Sequence, residues 1–292
     1  MYYLVYGLLY LISLLPLWLL HAIGDCFYGV IYYVIGYRRK VVMQNLSIAF
    51  PEKTEKEKIK IAKQFYHNFT DTFIETIKMV SATENFFKKH YIADPSIFYD
   101  LHQQGKKCQV HLGHNFNWEL ANVAMPLISP YLQLSVYMPI ANKIFERLFK
   151  KIRQKTGTVM LPANKMSTAM LPYLDKQYLL ALVADQNPGN ASKGYWINFF
   201  GRPTPFVKGP EKGARMNNTA VVFCHITKPR RGYYEAHFEL AATEPNTLPE
   251  TELTRIYIHY LERVIKANPE MWLWSHRRWK HEWKPEYGKL IE

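Results

Sequence analysis

Cysteines are rare in this sequence of 292 residues: there are only three, Cys26, Cys108 and Cys224, and there is no CxxC pair. Their odd number and wide spacing argue against a disulfide framework and a cysteine zinc cage, and favour a reducing compartment. Acidic residues are also scarce, because 24 Asp and Glu stand against 37 Lys and Arg and leave a formal net charge of +13. This imbalance predicts an anionic partner: membrane lipid, a phosphorylated substrate, an acidic carrier protein or nucleic acid.

Charge is almost missing from the N-terminal segment. Residues 1–36 contain one formally charged side chain, Asp25, and residues 1–20 contain none. Twenty helical residues measure about 30 Å, the thickness of one hydrocarbon core, and Trp18 and the N-terminal tyrosines are typical of a bilayer interface. We therefore expect residues 1–37 to form a membrane anchor, in which the first twenty cross the bilayer or lie in its interface.

Two other interpretations of this segment remain open. A cleaved signal peptide would need a positively charged start, which is missing, whereas a buried core helix would be consistent with the interruptions at Gly7 and Pro16. A second apolar run, 26–37, is too short to span a bilayer. The basic residues 38–40 follow directly, and such residues favour the cytoplasmic side and attract anionic headgroups. We expect an inner-membrane protein whose body lies on the cytoplasmic face.

The remainder, residues 38–292, contains no convincing linker, repeat or low-complexity tract and is expected to fold as one domain. Thr54 and Glu57 have the spacing of a capping box, and apolar residues then recur at steps of three or four up to Val80. This pattern predicts a long amphipathic helix. From residue 107 onward, apolar strands alternate with helical patterns, which indicates an α/β fold with a sheet flanked by helices.

The later segments are predicted from periodicity and from the positions of Gly and Pro. Strands are expected at 108–112, 132–138, 158–161, 178–184, 219–227 and 233–241. Helices are expected at 142–155, 165–176 and 251–267, and a long loop rich in Gly and Pro is expected at 187–213.

The candidate chemistry lies in residues 114–119, HNFNWE, which follow a predicted strand and open a helix. His114 would therefore lie at the carboxyl end of a strand, where α/β sheets hold their ligands. Glu119 would lie on the first helical turn, close enough to accept the Nδ1 proton and leave Nε2 free as a general base for a substrate hydroxyl. Spacing alone leaves open a structural histidine, or a metal site of His111, His114 and Glu119, although no usual zinc motif has this spacing.

Several motifs occur in an order that resembles one known family. They are YRRKVVMQNLSIAFPEKT, HNFNWE, VYMPIANKIFERLFKKIRQKTG, VADQNP, FFGRPTPFVKGPEKGA and WLWSHRRWK. Together with the N-terminal apolar run, they resemble the bacterial lipid A biosynthesis (late) acyltransferases of the lysophospholipid acyltransferase superfamily over nearly the whole chain. HNFNWE looks like that superfamily's histidine–x4–acid motif. The resemblance implies a mixed sheet flanked by helices, of the glycerolipid acyltransferase type.

The resemblance also implies an activity. His114 would deprotonate an acceptor hydroxyl while Glu119 orients it, and the oxygen would attack an acyl thioester. The donor would be acyl carrier protein or acyl-CoA, the acceptor a lipid A precursor or another anionic lipid, and neither a cofactor nor a metal is implied. In the family a basic residue of the motif that here reads VYMPIANKIFERLFKKIRQKTG is assigned to the acceptor's phosphate.

Four further residues are candidates for binding substrate. Arg153 and Arg147 are candidates for the phosphate contact, because guanidinium groups bind phosphate bidentately. They lie six positions apart on one helix, so they point about 120° apart and are not expected to bind one phosphate together, and Arg153 matches the family motif better. Asp185, which ends an apolar strand, and Asn117, within the histidine motif, complete the set.

Three competing functions are weighed against this one. A glycerophospholipid or another amphiphilic molecule could be the acceptor of the same reaction. A membrane-tethered nucleic-acid-binding protein would account for the charge and the 21 tyrosines, but the basic residues are spread out and no recognised nucleic-acid motif is present. A metal hydrolase would need the metal site considered above. We expect membrane lipids, and not nucleic acid, as a partner.

Overall fold

A central sheet of seven strands organises the chain, whose computed structural model describes residues 1–291. The strands are β1 (Tyr91–Ala93), β2 (Cys108–Leu112), β3 (Leu132–Tyr137), β4 (Val159–Pro162), β5 (Tyr178–Val183), β6 (Tyr195–Phe199), β7 (Arg202–Phe206), β8 (Ala220–Arg230), β9 (Tyr233–Ala242) and β10 (Leu290–Ile291). The large sheet has the order β1-β9-β8-β2-β5-β3-β4, and β10, β6 and β7 form a small second sheet.

Helices flank the sheet. They are α1 (Tyr2–Leu14), α2 (Leu17–Gly29), α3 (Arg39–Ala49), α4 (Glu55–Lys78), α5 (Glu84–His90), α6 (Ser96–Gln103), α7 (Trp118–Ala124), α8 (Lys143–Arg153), α9 (Met166–Ala169), α10 (Gly209–Asn217) and α11 (Glu252–Ala267). A π-helical stretch, Val30–Ile35, continues α2. The long helix predicted after Thr54 is confirmed, because Thr54 and Glu57 form both hydrogen bonds of a capping box at the start of α4.

Strand direction divides the large sheet into two parts. Strands β8, β2, β5, β3 and β4 are mutually parallel, whereas β9 pairs antiparallel with β8, and β1 runs parallel to β9. Every residue of β2 is buried, because this strand has neighbours on both sides and helices against it. The mixed sheet flanked by helices confirms the predicted α/β class.

Two predicted segments differ from the structure. The helix expected at 165–176 is shortened to α9 and a single 3-10 turn, Leu171–Tyr173, because Pro172 lacks the N–H that a longer helix needs. The loop expected at 187–213 contains the antiparallel pair β6–β7, followed by the start of α10. The two prolines of β7 argue against a strand in the sequence, because proline has no N–H to donate in a central strand. They are tolerated here because β7 lies at the edge of the small sheet.

The N-terminal segment is also divided differently from the expectation. Residues 1–20 do not form one helix, because Pro16 ends α1 at Leu14 and holds Leu15 in an extended conformation. The 13 residues of α1 measure about 20 Å, which is shorter than a hydrocarbon core. Leu17–Ile35 is instead the 19-residue helix long and apolar enough to cross a membrane, and it includes most of the run that was expected to be too short.

Candidate active site

His114 and Asp185 meet at the carboxyl edge of the sheet. His114 lies two residues after β2 and Asp185 two residues after β5, and these neighbouring strands run parallel with Leu112 opposite Val183. The two side chains therefore leave the sheet side by side. Oδ1 of Asp185 lies 2.5 Å from Nδ1 of His114, and its Oδ2 accepts the backbone N–H of His114 at 2.8 Å.

The carboxylate of Asp185 is buried and remains ionised. Burial alone would raise the pKa of Asp185, but the His114 ring and the hydrogen bonds from His114 and Trp272 lower this pKa to about 2. Trp272 contributes by donating its indole N–H to Oδ2 at 2.6 Å. An ionised carboxylate only accepts hydrogen bonds, so Nδ1 of His114 carries a proton, and the neutral imidazole then has its lone pair on Nε2.

The free ring nitrogen of His114 faces a partly open site, and 18% of the side chain is exposed. Nε2 lies 3.1 Å from the amide nitrogen of Gln186, which donates to it. Within residues 1–291, no serine, threonine or cysteine forms a hydrogen bond with this nitrogen. The described residues therefore place no hydroxyl or thiol nucleophile in hydrogen-bond contact with Nε2.

Glu119 does not make the expected contact with His114. Both of its carboxylate oxygens accept hydrogen bonds from Arg153, at 2.8 Å from Nε and 2.5 Å from the terminal Nη2. Trp118 donates its indole N–H to the same carboxylate at 3.3 Å. Because α8 ends beside the first turn of α7, Glu119 forms a bidentate ion pair with Arg153, and the acid that meets the imidazole is Asp185.

Arg153 and Arg147 contact different parts of the molecule. Burial alone would lower the pKa of Arg153, but the paired carboxylate of Glu119 raises it, and the guanidinium stays charged. Arg147 instead places its guanidinium 4.0 Å from the ring centre of Tyr2 in α1. The two arginines are therefore unable to bind one phosphate together, as their spacing on α8 predicts.

Asn117 has a structural position that makes it unsuitable as a substrate contact. Its side chain is fully buried and caps α7 by accepting the backbone N–H of Leu120 at 3.1 Å. The amide nitrogen of Asn117 donates to Glu75 at 2.9 Å, and so ties the motif to α4. We correct the expectation accordingly: Asn117 supports the backbone that carries His114.

The metal site considered from the sequence does not assemble. Nε2 of His111 lies 2.9 Å from the amide of Gln109, whereas the ring of His114 contacts Asp185. Burial also lowers the pKa of His111 to about 3. Within residues 1–291, no group of three or more His, Cys, Asp and Glu side chains is arranged to hold a metal ion.

Sequence reasoning left two residues of this site unassigned. Gln186 follows Asp185 directly, in a segment where only the acid attracted attention. Trp272 belongs to the C-terminal motif, but its indole N–H reaches Asp185 only through the tertiary fold, 87 residues away along the chain. The sequence could have indicated both residues, because Gln186 lies in the motif VADQNP and Trp272 in the motif WLWSHRRWK, and both motifs carry the family resemblance.

We expect Arg153→Lys to weaken the protein and its activity. Lysine keeps the charge but loses the planar fork, so one of the two hydrogen bonds to the buried carboxylate of Glu119 is lost, at a cost of about 1–3 kcal/mol. The thermal midpoint should fall by several degrees and kcat/KM by about tenfold. Arg147→Lys is the matched control on the same helix and should change both quantities little. A defect confined to Arg147→Lys would reverse this assignment.

Two kinds of comparison with known proteins address the family. The sequence profile described as bacterial lipid A biosynthesis acyltransferase matches residues 1–281. A lipid A biosynthesis palmitoleoyltransferase of Escherichia coli (strain K12) is 21% identical over 246 residues, which are 83% of this chain and 79% of that protein. A lipid A biosynthesis acyltransferase of Shigella flexneri has the same identity and coverage. Since the family match covers nearly the whole chain, the protein belongs to the bacterial lipid A biosynthesis acyltransferases and is an acyltransferase.

Proposed function

We propose that this protein is a membrane-bound O-acyltransferase that moves a fatty acyl chain from an acyl thioester to a hydroxyl of a lipid A precursor. The observation that carries the proposal is the His114–Asp185 pair, whose free ring nitrogen has no nucleophile from the described part of the chain. Hydrolases that form an acyl-enzyme place such a nucleophile beside the imidazole. Direct transfer to a substrate hydroxyl requires only the base.

The first step is attack by the acceptor. The hydroxyl displaces the amide of Gln186 from Nε2 of His114, gives its proton to that nitrogen, and bonds to the carbonyl carbon of the thioester. The carbonyl π electrons move to its oxygen, and the imidazolium formed is stabilised by the ionised Asp185 at 2.5 Å. Asp185 takes the orienting role that the sequence assigned to Glu119.

The second step is collapse of the tetrahedral intermediate. The carbon–sulfur bond breaks, the carbonyl re-forms, and the proton on Nε2 passes to the departing thiolate. The amide of Gln186, which lies 3.1 Å from Nε2 of His114 before the acceptor enters, is our candidate donor for the oxyanion. Arg153 has one terminal nitrogen, Nη1, without a hydrogen-bond partner within residues 1–291, and this group is our candidate contact for an acceptor phosphate.

The substrates are proposed from charge and family together. The names of the two relatives refer to lipid A biosynthesis, and a +13 chain suits a phosphorylated lipid acceptor. An acidic acyl carrier protein is our proposed donor for the same electrostatic reason, with acyl-CoA as the alternative. We place the protein at the inner membrane with its catalytic domain, residues 38–292, on the cytoplasmic face, because residues 38–40 are basic and follow the apolar segment 1–37.

A reconstituted assay tests the proposal. Detergent-purified protein should add one acyl group to a lipid A precursor and release one free thiol per ester formed, as measured by mass spectrometry and a thiol reagent. Acyl carrier protein and coenzyme A thioesters of the same chain length are compared as donors. Acylation of a lysoglycerophospholipid but not of the lipid A precursor would identify the other acceptor class. Thiol release without any ester product would contradict acyl transfer altogether.

A further inference from the structure

The N-terminal half of the helix Leu17–Ile35 is attached to charged groups of the protein body. His21 contacts Glu75 of α4 at 3.0 Å, and Asp25 pairs with Arg231 at 2.7 Å. Arg231 lies at the turn between β8 and β9, and it also pairs with the buried Asp71 of α4 at 2.7 Å. The apolar helix therefore lies along the ionised surface of α4 and does not project away from it.

These contacts are incompatible with a helix that crosses the bilayer. If Leu17–Ile35 spanned a membrane, Asp25 would lie near the midplane, and its partner Arg231 would lie there with it. Their side chains are 47% and 32% exposed, so lipid would surround them. A charged side chain at this depth is strongly unfavourable, and the backbone turn beside Arg231 would lie in hydrocarbon without water. A helix that left the protein body in order to span the bilayer would break the contact between His21 and the buried Glu75.

The opposite side of the same segment is apolar and exposed. Large apolar side chains project outward from both α1 and the helix that follows it. We call them the outer apolar face: Tyr3, Leu4, Leu8, Leu11, Leu14, Trp18, Phe27, Val34 and Ile35. A helix with one apolar face and one polar, attached face is the pattern of segments that lie in the plane of a membrane surface.

Basic side chains lie near both ends of this segment. Arg147 of α8 lies over the ring of Tyr2, and Lys151 lies 3.9 Å from the ring centre of Tyr6. The exposed basic residues 38–40 follow at the other end of the segment. Cations at the level of interfacial aromatic rings are complementary to the phosphates of anionic lipids, each contributing about 1 kcal/mol near the surface.

We propose that residues 2–35 lie flat on an anionic phospholipid surface, with the outer apolar face among the acyl chains, and do not cross the bilayer. This inference rests on the membrane-bound function proposed above and specifies its geometry. It also relates the bilayer to the site, because α8 contacts the segment through Arg147 and contacts Glu119, next to the His114 motif, through Arg153. A lipid acceptor can then approach His114 while its acyl chains stay in the membrane.

Cysteine accessibility tests the orientation. In a full-length variant without Cys26, one cysteine is added before Tyr2 or replaces the exposed Lys40, and a membrane-impermeant maleimide is applied to spheroplasts and to inverted membrane vesicles. We expect both cysteines to react in inverted vesicles only. A cysteine before Tyr2 that reacts only in spheroplasts would show a spanning helix and overturn the proposal. Protein absent from both membrane preparations would contradict the membrane-bound function itself.

Vesicle binding tests the outer apolar face with variants that leave the contacts to the body intact. The double variant Leu4→Glu/Leu8→Glu should bind phosphatidylglycerol vesicles at least tenfold more weakly, because two apolar side chains leave the acyl region. Met216→Glu is the matched control, since Met216 is equally exposed but lies far from this face in the chain. All variants should keep their acyl-transfer rate in detergent. Unchanged vesicle binding of the double variant would overturn the in-plane arrangement. If the parent protein itself shows no acyl transfer in detergent, the proposed function is contradicted instead.

Discussion

His114→Ala should reduce the rate of acyl transfer by about two to four orders of magnitude. In the proposed mechanism Nε2 of His114 takes the acceptor proton, while Asp185 holds Nδ1 at 2.5 Å. Alanine leaves the backbone N–H of residue 114 free to keep its bond to Asp185, so the strand ends should stay in place. The measurement is kcat with a saturating lipid A precursor and acyl donor in detergent.

The control for this prediction is His259→Ala, which removes an exposed histidine of α11. That variant should have the activity of the parent protein, and both variants should keep a thermal unfolding midpoint close to it. Activity of His114→Ala within about threefold of the parent, in a protein shown to be folded, would sink the proposed mechanism. The acyltransferase family assignment would stand, and the base would have to be sought elsewhere.

Asp185→Asn should also lower the rate by about two to four orders of magnitude, although it changes a single atom. Oδ2 of Asp185 accepts two hydrogen bonds, from the backbone of His114 and from Trp272, whereas Oδ1 accepts one, from Nδ1. Asparagine has only one oxygen, which we expect at the Oδ2 position. Its NH2 group then donates to Nδ1, and the imidazole proton moves to Nε2, where it abolishes the base.

The pH dependence of this variant follows from the same geometry. In the parent protein the pKa of Asp185 is lowered to about 2. The stability that ionised Asp185 gives to the folded state is therefore fully present above about pH 4 and is lost only as the pH falls toward 2. The defect of Asp185→Asn should therefore be constant across neutral and alkaline assays and should not be rescued by raising the pH. Asp175→Asn, at an exposed position, is the control.

Comparison with Glu119→Gln decides which acid supports the base. Glutamine keeps one acceptor for Arg153 and leaves His114–Asp185 intact, so Glu119→Gln should cost less activity than Asp185→Asn and should lower the unfolding midpoint. A larger loss of activity in Glu119→Gln than in Asp185→Asn would instead support Glu119 as the acid that orients His114.

Local sequence was sufficient for most of the fold. The capping box before α4, the apolar strands at the centre of the sheet and the Gly and Pro signals are all short-range features, and they predicted the α/β class and most element positions. The failures were also local in origin. Alternating prolines concealed β7, and Pro16 divided a run whose hydropathy looked continuous.

The sequence by itself determined that this chain carries His114 after a strand, in motifs that belong to the lipid A acyltransferases. Only the tertiary structure decided the partner of that histidine. Glu119 was the nearest acid in the chain, but Asp185, 71 residues away, is the one in contact, because β2 and β5 are parallel neighbours in register. Strand order results from packing over the whole sheet and leaves no trace in the spacing of a single motif. The same holds for the N-terminal helix, whose composition allows a membrane span but whose contacts with Glu75 and Arg231 attach it to the protein body.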